Sequence, residues 1–329
     1  MRESLVIWKS DDISEVLSKR TADFRFDWRN ELPVLVIDEP QKLSEECAKS
    51  LRSLAVVLIG VSVENDVSSP VDIVATSEED LENFLDFISL NPVASVTCCQ
   101  VLRNNENVST ELGLFLESVA YGTLQDGDEF KHWLDGRGRR VRPEEKEPPV
   151  LINAKNETVE LQLNRPRLKN AFSAAMRDSL VEALRGLATD GDYRSILITG
   201  NGSAFCIGGD PAEFGRVDNS ATGHMIRSVA NAAPWLDLLS ERITVRINGA
   251  AVGAGIELAA FAGRIEATQE AWFSLPEVKM GLIPGAGGTV SISRRIGRQL
   301  TARMCLSGER VDAGTALEWG LVDELVDCP

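Results

Sequence analysis

Apolar residues recur along this chain with two spacings, and each spacing predicts a different kind of element. Unbroken runs rich in β-branched residues predict three buried strands in the first half, at 32–38, 53–63 and 71–77. Apolar residues three and four apart predict helices at 44–54, 77–90, 92–101 and 112–124. Ser44 and Ser77 stand where two of these helices begin, and we expect their side-chain oxygens to cap them.

The second half alternates more regularly between strand and helix. Strands are predicted at 150–156, 158–164, 193–202 and 242–249, with a short strand ending near Phe273. Helices are predicted at 173–187, after Pro211 in the segment 203–214, and in the region 222–240. Strands that alternate with helices are typical of a parallel sheet covered by helical layers. The predicted fold class is therefore α/β.

A charged, proline-containing stretch at 135–149 lies between the two halves and is predicted to be a linker. This places a domain boundary near residue 145. Residues 1–145 are then an N-terminal α/β module of unknown role, and residues 146–329 are a second domain. No catalytic arrangement of polar residues is evident in the first module.

Composition narrows the range of functions. The 329 residues are 43% hydrophobic and 26% charged, as in an ordinary globular protein. The net charge of −16 argues against nucleic acid or an anionic membrane as a partner. No apolar segment approaches the length of a membrane span, and the first residues show no signal-peptide pattern. We therefore expect a cytoplasmic protein.

The cysteines and histidines indicate which chemistry to expect. Six cysteines show no metal-ligand spacing, and His132 and His224 are the only histidines. The chain therefore has few residues from which a metal centre or a histidine-based catalytic triad could be built. Carboxylates are the natural catalytic candidates.

The stretch at 248–289 combines a run of small residues with two acids. Gly253 and Ala254 stand before an apolar helical pattern, so their N–H groups are predicted to lie at a helix N-terminus, which favours negative charge. Glu257 falls in the first turn of that helix, and Glu277 follows 20 residues later (277 − 257 = 20). Two acids beside such a corner are typical of acid–base catalysis with an oxyanion hole. The alternative is close packing, with Glu257 as a favourable first-turn charge.

A second glycine corner lies at Gly208 and Gly209, between a predicted strand and a predicted helix. Two such corners can aim two main-chain N–H groups at one carbonyl oxygen, as stabilisation of an enolate requires. Asp210 follows directly and has two interpretations, a catalytic acid or a structural residue at the helix start.

These motifs, in this order and spacing, resemble those of the crotonase (enoyl-CoA hydratase/isomerase) superfamily. The similar segments lie at 163–173, 196–214, 247–259, 273–289 and 294–326. The resemblance implies a crotonase-like ββα-superhelix, to which the N-terminal α/β module is an addition. It also implies an acyl-CoA substrate, no separate cofactor because coenzyme A is part of that substrate, and a homo-oligomer such as a trimer or hexamer.

By this resemblance, the N–H groups of Gly209 and Ala254 form the oxyanion hole, and Glu257 and Glu277 are the catalytic pair. Relatives with both acids are enoyl-CoA hydratases, in which one acid deprotonates a water for attack at Cβ and the other supplies the Cα proton. Relatives that keep only the second acid are often isomerases. Other enolate reactions and a non-catalytic acyl-CoA-binding role are further alternatives.

The resemblance also suggests substrate-binding residues, namely Gly208, Asp210, Gly253, Gly285 and Lys169. Gly285 is expected to leave room beside the catalytic water. Lys169 and its neighbour Arg165 are expected either to reach the phosphates of coenzyme A or to be simple surface charge.

Three features depart from the family pattern. Arg242 and Arg246 occupy a strand that is usually more apolar, and Gly263 stands where an aspartate is common. The third departure is that the chain ends soon after residue 326, without the helical region that usually covers the active site. We expect the first half of the chain to cover the apolar surface that this leaves.

Overall fold

The computed structural model of the protein describes residues 6–18, 32–62, 70–138, 146–189 and 193–327. Residues 139–145 of the predicted linker, and the predicted boundary at 145, lie outside these ranges. Within the described ranges, no single helix has both the length and the apolar character needed to cross a membrane. The helices Glu78–Leu90 and Pro92–Asn105 meet that test only as a pair, and they are bent by 108° where they join.

The first half forms a parallel four-stranded sheet with helices on both faces. Strands β1 to β4 pair in chain order and span Ile7–Lys9, Val34–Asp38, Val57–Val61 and Ile73–Ala75. Helices α1 to α6 span Ser10–Ser18, Glu45–Arg52, Glu78–Leu90, Pro92–Asn105, Thr110–Gln125 and Asp128–Arg137. Side chains alternate between the faces of a strand. Leu35 and Ile37 therefore pack in a small cluster with α1 and α2, whereas Val34 and Val36 face the larger core.

The second half forms two further sheets. Strands β5 to β14 span Val150–Lys155, Thr158–Leu163, Ser195–Gly200, Ala204–Cys206, Ile243–Ile247, Ala250–Val252, Arg264–Thr268, Trp272–Ser274, Val311–Asp312 and Glu324–Val326. Helices α7 to α12 span Ala174–Thr189, Ser220–Val229, Ala233–Leu238, Ala254–Ala259, Gly288–Ser307 and Ala313–Trp319. One sheet has the strand order β14-β11-β9-β7-β6-β5, and the other has the order β13-β12-β10-β8.

The chain winds between these two sheets as a superhelix. In each of three successive turns, one strand enters the six-stranded sheet (β7, β9, β11) and the next enters the four-stranded sheet (β8, β10, β12). A helix then follows (α8, α10, α11). The neighbouring strands of successive turns are parallel. The predicted fold class, a ββα-superhelix with an added α/β module, is confirmed.

Helices of the first half cover part of this superhelix. Helices α3, α4 and α5 pack on α11, and α5 also packs on α8. A single apolar core runs from Val34 and Phe84 in the first half to Phe273 and Leu321 in the second. The first half therefore covers apolar surface of the second. The division of the chain into two domains at residue 145 stays a prediction.

One predicted element is wrong. No helix follows Pro211; residues 211–215 form hydrogen-bonded turns instead. The side chain of Asp210 accepts a hydrogen bond from the Ala212 amide at 2.9 Å, and the Glu213 amide donates to the Asp210 carbonyl at 2.9 Å. These local bonds compete with the helical pattern, and Gly215, with φ of +75°, then redirects the chain.

Candidate active site

In the sheet β13-β12-β10-β8, three neighbouring strands end at the same edge. Strands β8, β10 and β12 lie side by side and run parallel, so their carboxyl ends meet. Gly209 follows β8, Ala254 follows β10, and Glu277 follows β12. The register of the sheet thereby gathers residues that are far apart in sequence. A ligand cleft at the carboxyl ends of parallel strands is common in α/β proteins.

The corner at Gly209 is shaped by a bridge to Phe172. The Phe172 amide donates to the Gly208 carbonyl at 2.8 Å, and the Asp210 amide donates to the Phe172 carbonyl at 2.9 Å. The N–H group of Gly209 takes no part in this bridge. Gly208 has φ of +89°, and a Cβ there would lie 3.0 Å from the Val252 carbonyl. A glycine at 208 thus lets this corner approach the next strand closely.

The corner at Ala254 begins the short helix α10. The Gly253 amide donates to the Ser274 carbonyl at 3.0 Å, and this bond ties the corner to β12. Ala254 is the first residue of the helix, so its own N–H has no acceptor one turn earlier within α10. Gly209 and Ala254 line the same cavity. The two residues whose N–H groups the sequence singled out therefore lie at one site.

Glu257 is buried one turn into α10, with 2% of its surface exposed. One carboxylate oxygen, Oε2, accepts hydrogen bonds from the Ala286 amide at 2.7 Å and from the Gly288 amide at 3.0 Å. Burial raises the pKa of Glu257 to about 7, although these amides favour the ionised form and oppose the rise. A carboxyl group with a pKa near neutrality can accept or release a proton under physiological conditions.

Glu277 follows β12 and is also buried, with 8% of its surface exposed. Its Oε2 atom is buried and has no hydrogen-bond partner among the described residues. Burial raises the pKa of Glu277 well above its usual value, and the charge on Glu257 adds to the rise. A buried, unpaired carboxylate is costly, so the neutral acid is favoured. Glu277 and Glu257 both line the cavity.

A third glutamate, Glu117 of α5, lies beside this pair, and the sequence analysis missed it. Its Oε1 accepts from the Gly287 amide at 2.7 Å, and its Oε2 accepts from the amide and the hydroxyl of Thr289 at 3.0 and 2.6 Å. Burial raises the pKa of Glu117 to about 8, and the charge on Glu257 adds to this. The sequence does carry one sign that Glu117 is buried. Glu117 lies three residues after the buried Leu114, on the apolar stripe of an amphipathic helix, where an acidic residue is unusual.

Tyr121, one turn after Glu117, forms part of the cavity wall. A Cβ at Gly285 would lie 2.4 Å from the Tyr121 ring, so the room expected beside Gly285 is filled by this ring. On another side, the guanidinium of Arg227 lies 4.5 Å from the centre of the ring. Arg227 in turn donates to Ser118 at 3.0 Å and to Gln125 at 3.1 Å. The first half of the chain thus builds one wall of the cavity.

Asp210 and Lys169, two of the remaining predicted substrate-binding residues, lie in different surroundings. Asp210 lines the cavity, but its carboxylate forms a buried ion pair with Arg165 at 2.8 Å. Arg165 is buried and also donates to the Ala171 carbonyl, so it is not a simple surface charge, and its guanidinium is bound within the protein rather than free to reach a phosphate. Lys169 is exposed and lies outside the lining of the cavity. His132 is exposed, and His224 pairs with Ser118 at 2.9 Å.

The cavity has a volume of about 240 Å³. It combines both amide corners, the two predicted acids and residues of α5 and α8. The lining includes Gly209, Ala254, Glu257, Glu277, Gly285, Tyr121, Gln125, Phe172, Phe214 and Arg227. Among the described residues, no group of three or more His, Cys, Asp or Glu side chains could hold a metal ion. The arrangement can stabilise an oxyanion and move a proton beside it.

Comparisons with known proteins point to one family. The family described as enoyl-CoA hydratase/isomerase matches residues 153–328. The 2,3-dehydroadipyl-CoA hydratase of Escherichia coli (strain K12) is 36% identical over 176 residues, covering 54% of this chain and 68% of that protein. The mitochondrial enoyl-CoA hydratase of Pongo abelii is 36% identical over 178 residues, covering 53% of this chain and 59% of that protein.

A solved structure resembles this chain in both fold and sequence. A Mycobacterium abscessus protein assigned as an enoyl-CoA hydratase/isomerase has a TM-score of 0.51 and 32% identity. The match covers 54% of this chain and 70% of that chain. The segment matched by the family includes Glu257 and Glu277 but not Glu117 or Tyr121.

Proposed function

Because the chain belongs to the enoyl-CoA hydratase/isomerase family, we propose that it adds water to a 2-enoyl-CoA thioester. The observation that supports this most strongly is the convergence of two amide corners and two buried glutamates on one cavity. An oxyanion hole without acids would stabilise an enolate but could not move protons. Both acids are present here, and both have raised pKa values.

In this proposal the thioester oxygen accepts hydrogen bonds from the Gly209 and Ala254 amides. These bonds draw electron density from the conjugated double bond and make Cβ electrophilic. Glu257 takes a proton from water, the water oxygen bonds to Cβ, and the double-bond electrons move to the thioester oxygen as an enolate. Glu277 then gives its proton to Cα. Exchange with solvent returns a proton from Glu257 to Glu277 and resets the site.

The roles of the two acids follow from their surroundings. Glu257 has a pKa of about 7 and is held by two amides, so its ionised form is present near neutral pH and has a fixed orientation. Glu277 has an oxygen with no hydrogen-bond partner among the described residues, and the charge on Glu257 raises its pKa further, so the protonated form is favoured. Two carboxyl groups with different environments are a common means of assigning a base and an acid.

The test is turnover of a short 2-enoyl-CoA, measured as loss of the absorbance of the conjugated thioester. We expect Glu257→Gln and Glu277→Gln each to lower kcat by about 100-fold or more, because each removes one proton-transfer group. Glu270→Gln is the matched control, since Glu270 is exposed and precedes β12. Turnover that persists in both variants contradicts the proposal. Binding without turnover in the wild-type protein favours an acyl-CoA-binding role.

An isomerase is the second candidate, and the Tyr121 ring favours it. The ring fills the space beside Gly285 where the catalytic water was expected. In an isomerase, ionised Glu277 would remove a Cα proton from a 3-enoyl-CoA and return it to Cγ, with no water in the reaction. Incubation with a 3-enoyl-CoA, followed by separation of the products, distinguishes the two. Formation of 2-enoyl-CoA without the 3-hydroxy product indicates an isomerase.

A further inference from the structure

Four consecutive main-chain amides at the start of α11 are divided between two glutamates. We call the N–H groups of residues 286–289 the amide ladder. The first and third amides, of Ala286 and Gly288, donate to Glu257. The second and fourth, of Gly287 and Thr289, donate to Glu117. The acceptors therefore alternate along the ladder, and one peptide unit separates each bond to Glu257 from a bond to Glu117.

The ladder is closely packed on both sides. Gly287 has φ of +107°, and a Cβ there would lie 2.6 Å from the Phe261 ring. A Cβ at Gly288 would lie 2.6 Å from Cγ of Glu257 itself. The Thr289 hydroxyl donates to Glu117 and accepts from Asn105 at 2.9 Å, which ties the far end of the ladder to α4. The position of Glu257 therefore depends on where the ladder lies.

The charges around Glu117 come from several elements. The charge on Glu257 of α10 raises the pKa of Glu117, and the charges on Glu257 and Glu117 both raise the pKa of Glu277. Tyr121 lies on α5 itself, and Arg227 of α8 covers the Tyr121 ring. The charge of Glu117 influences both Tyr121 and Arg227. Ionisation of Glu117 or of Glu257 therefore affects the protonation of the other of these two carboxyl groups.

We propose that Glu117 is a positioning residue for Glu257, and that it acts by holding the alternate amides of the ladder that orients the Glu257 carboxylate. Glu117 belongs to the first half of the chain, so part of the active-site support is supplied from outside the segment that matches the family. The consequence for catalysis rests on the proposed function, because it requires that Glu257 takes part in turnover. The structural coupling between the two glutamates does not depend on it.

The coupling between Glu117 and Glu257 is expected to be strong, because the buried amides of the ladder need acceptors. Removal of either Glu117 oxygen leaves a buried N–H group of Gly287 or Thr289 without its acceptor, which is unfavourable. The ladder must then shift to find another partner, and the amides of Ala286 and Gly288 shift with it because they belong to adjoining peptide units. A displacement of about 1 Å in a catalytic group is enough to lower a rate about 100-fold.

The first experiment needs no turnover. In ¹⁵N-labelled wild-type protein, the chemical shifts of the four ladder amides are followed from about pH 5 to about pH 9. We expect the Ala286 and Gly288 amides to report ionisation of Glu257, and the Gly287 and Thr289 amides to report ionisation of Glu117. In Glu117→Gln, the midpoints for Ala286 and Gly288 should move. Unchanged shifts and midpoints for Ala286 and Gly288 would overturn the proposal.

The second experiment is a double-mutant cycle measured by turnover. Glu117→Gln should lower kcat about 10- to 100-fold. The Kd for a saturated acyl-CoA should change by less than about threefold. In the Glu257→Gln background, the same substitution should have almost no further effect, because the group that it positions is already absent. An equal loss in both backgrounds, or a loss of binding as large as the loss of kcat, indicates a general structural role and overturns the proposal.

Controls separate the possible failures. Glu111→Gln changes an exposed residue of the same helix and should leave both measurements unaltered. If Glu117→Gln does not fold, Thr289→Val is the second variant. It removes the hydroxyl bond to Glu117 and the bond from Asn105 but keeps both main-chain bonds to Glu117, and it should move the same midpoints by a smaller amount. If the wild-type protein shows no hydration at all, the proposed function fails, and the amide titration still decides whether Glu117 positions Glu257.

Discussion

At the scale of single residues, the site depends on a glycine, which has no Cβ atom. Gly253 has φ of +48°, and an ideal Cβ there would lie 2.2 Å from Oε1 of Glu277. The glycine therefore leaves the space in which the Glu277 carboxylate lies, and it allows the turn that exposes the Ala254 amide. A single position thus supports both the acid and the oxyanion corner.

Gly253→Ala should reduce both turnover and stability. Alanine in this backbone conformation costs about 1–3 kcal/mol, and the new methyl group must displace the Glu277 carboxylate. We expect kcat to fall about tenfold or more. Turnover and the urea unfolding midpoint measure the two effects. Gly186→Ala is the control, because a Cβ at Gly186 in helix α7 meets nothing within 4 Å.

At the scale of elements, helix α11 is held along its length by residues of the first half. Its start is bound by Glu117, and its middle carries Arg298, directly after Gly297, whose φ of +79° breaks the helical geometry. The buried Arg298 pairs with Asp72 at 3.0 Å. Asp72, which precedes β4, also accepts from Arg103 of α4 and from the Leu58 amide at 2.8 Å each. One carboxylate therefore joins the first sheet, α4 and α11.

Asp72→Asn should strongly destabilise the protein. The change removes the negative charge that pairs with two buried guanidinium groups, and breaking a buried ion pair by removing one partner costs about 3–5 kcal/mol. Urea denaturation followed by circular dichroism measures the change. Asp178→Asn is the comparison, because the Asp178 side chain is 60% exposed in its ion pair with Arg177. Its effect should stay below about 1 kcal/mol. Equal effects of the two substitutions would contradict the role given to Asp72.

The elements themselves were largely predictable, because their signals are local. The Ser44 and Ser77 caps are confirmed, with hydrogen bonds of 3.3 and 3.1 Å to the amides three residues later. The predicted helix after Pro211 failed because the Asp210 carboxylate binds a nearby amide and closes a turn, and this competition depends on tertiary contacts with Arg165. The Gly209 and Ala254 corners were recognisable from glycine patterns in short segments. Glu117 was not, because 170 residues separate it from Gly287.

At the scale of the whole molecule, both halves share one core and one cavity. Helix α5 contributes Glu117 to the support of the site and Tyr121 to its wall, while α10 and the segment after β12 contribute the two proposed catalytic acids. The protonation of three buried glutamates is thereby linked to the packing of the first half against the second. Stability should accordingly depend on pH in a characteristic direction.

The free energy of unfolding should fall as the pH rises from about 4.5 to about 8. Glu117, Glu257 and Glu277 bind protons more tightly in the folded chain than in the unfolded chain, because burial raises their pKa values. The stability they contribute is complete below the unfolded pKa and is lost as the pH rises through the folded value. The slope is at most about 1.4 kcal/mol per pH unit for each group.

Urea unfolding at a series of pH values measures this slope. Glu117→Gln should flatten it, since glutamine does not titrate. A wild-type stability that increases over the same pH interval would contradict the raised pKa values of these buried acids.

The position of Glu117 in the chain has a consequence for biosynthesis. A ribosome completes α5 well before it adds residues 286–289, so a growing polypeptide carries this carboxyl group with none of its final partners. Glu117 stays hydrated at that stage, and the apolar side of α5 has to be shielded in some other way until the later segment emerges. The reaction chamber is therefore assembled only after residues 286–289 have been synthesised, and a nascent chain that stalls before residue 289 has no means of building it.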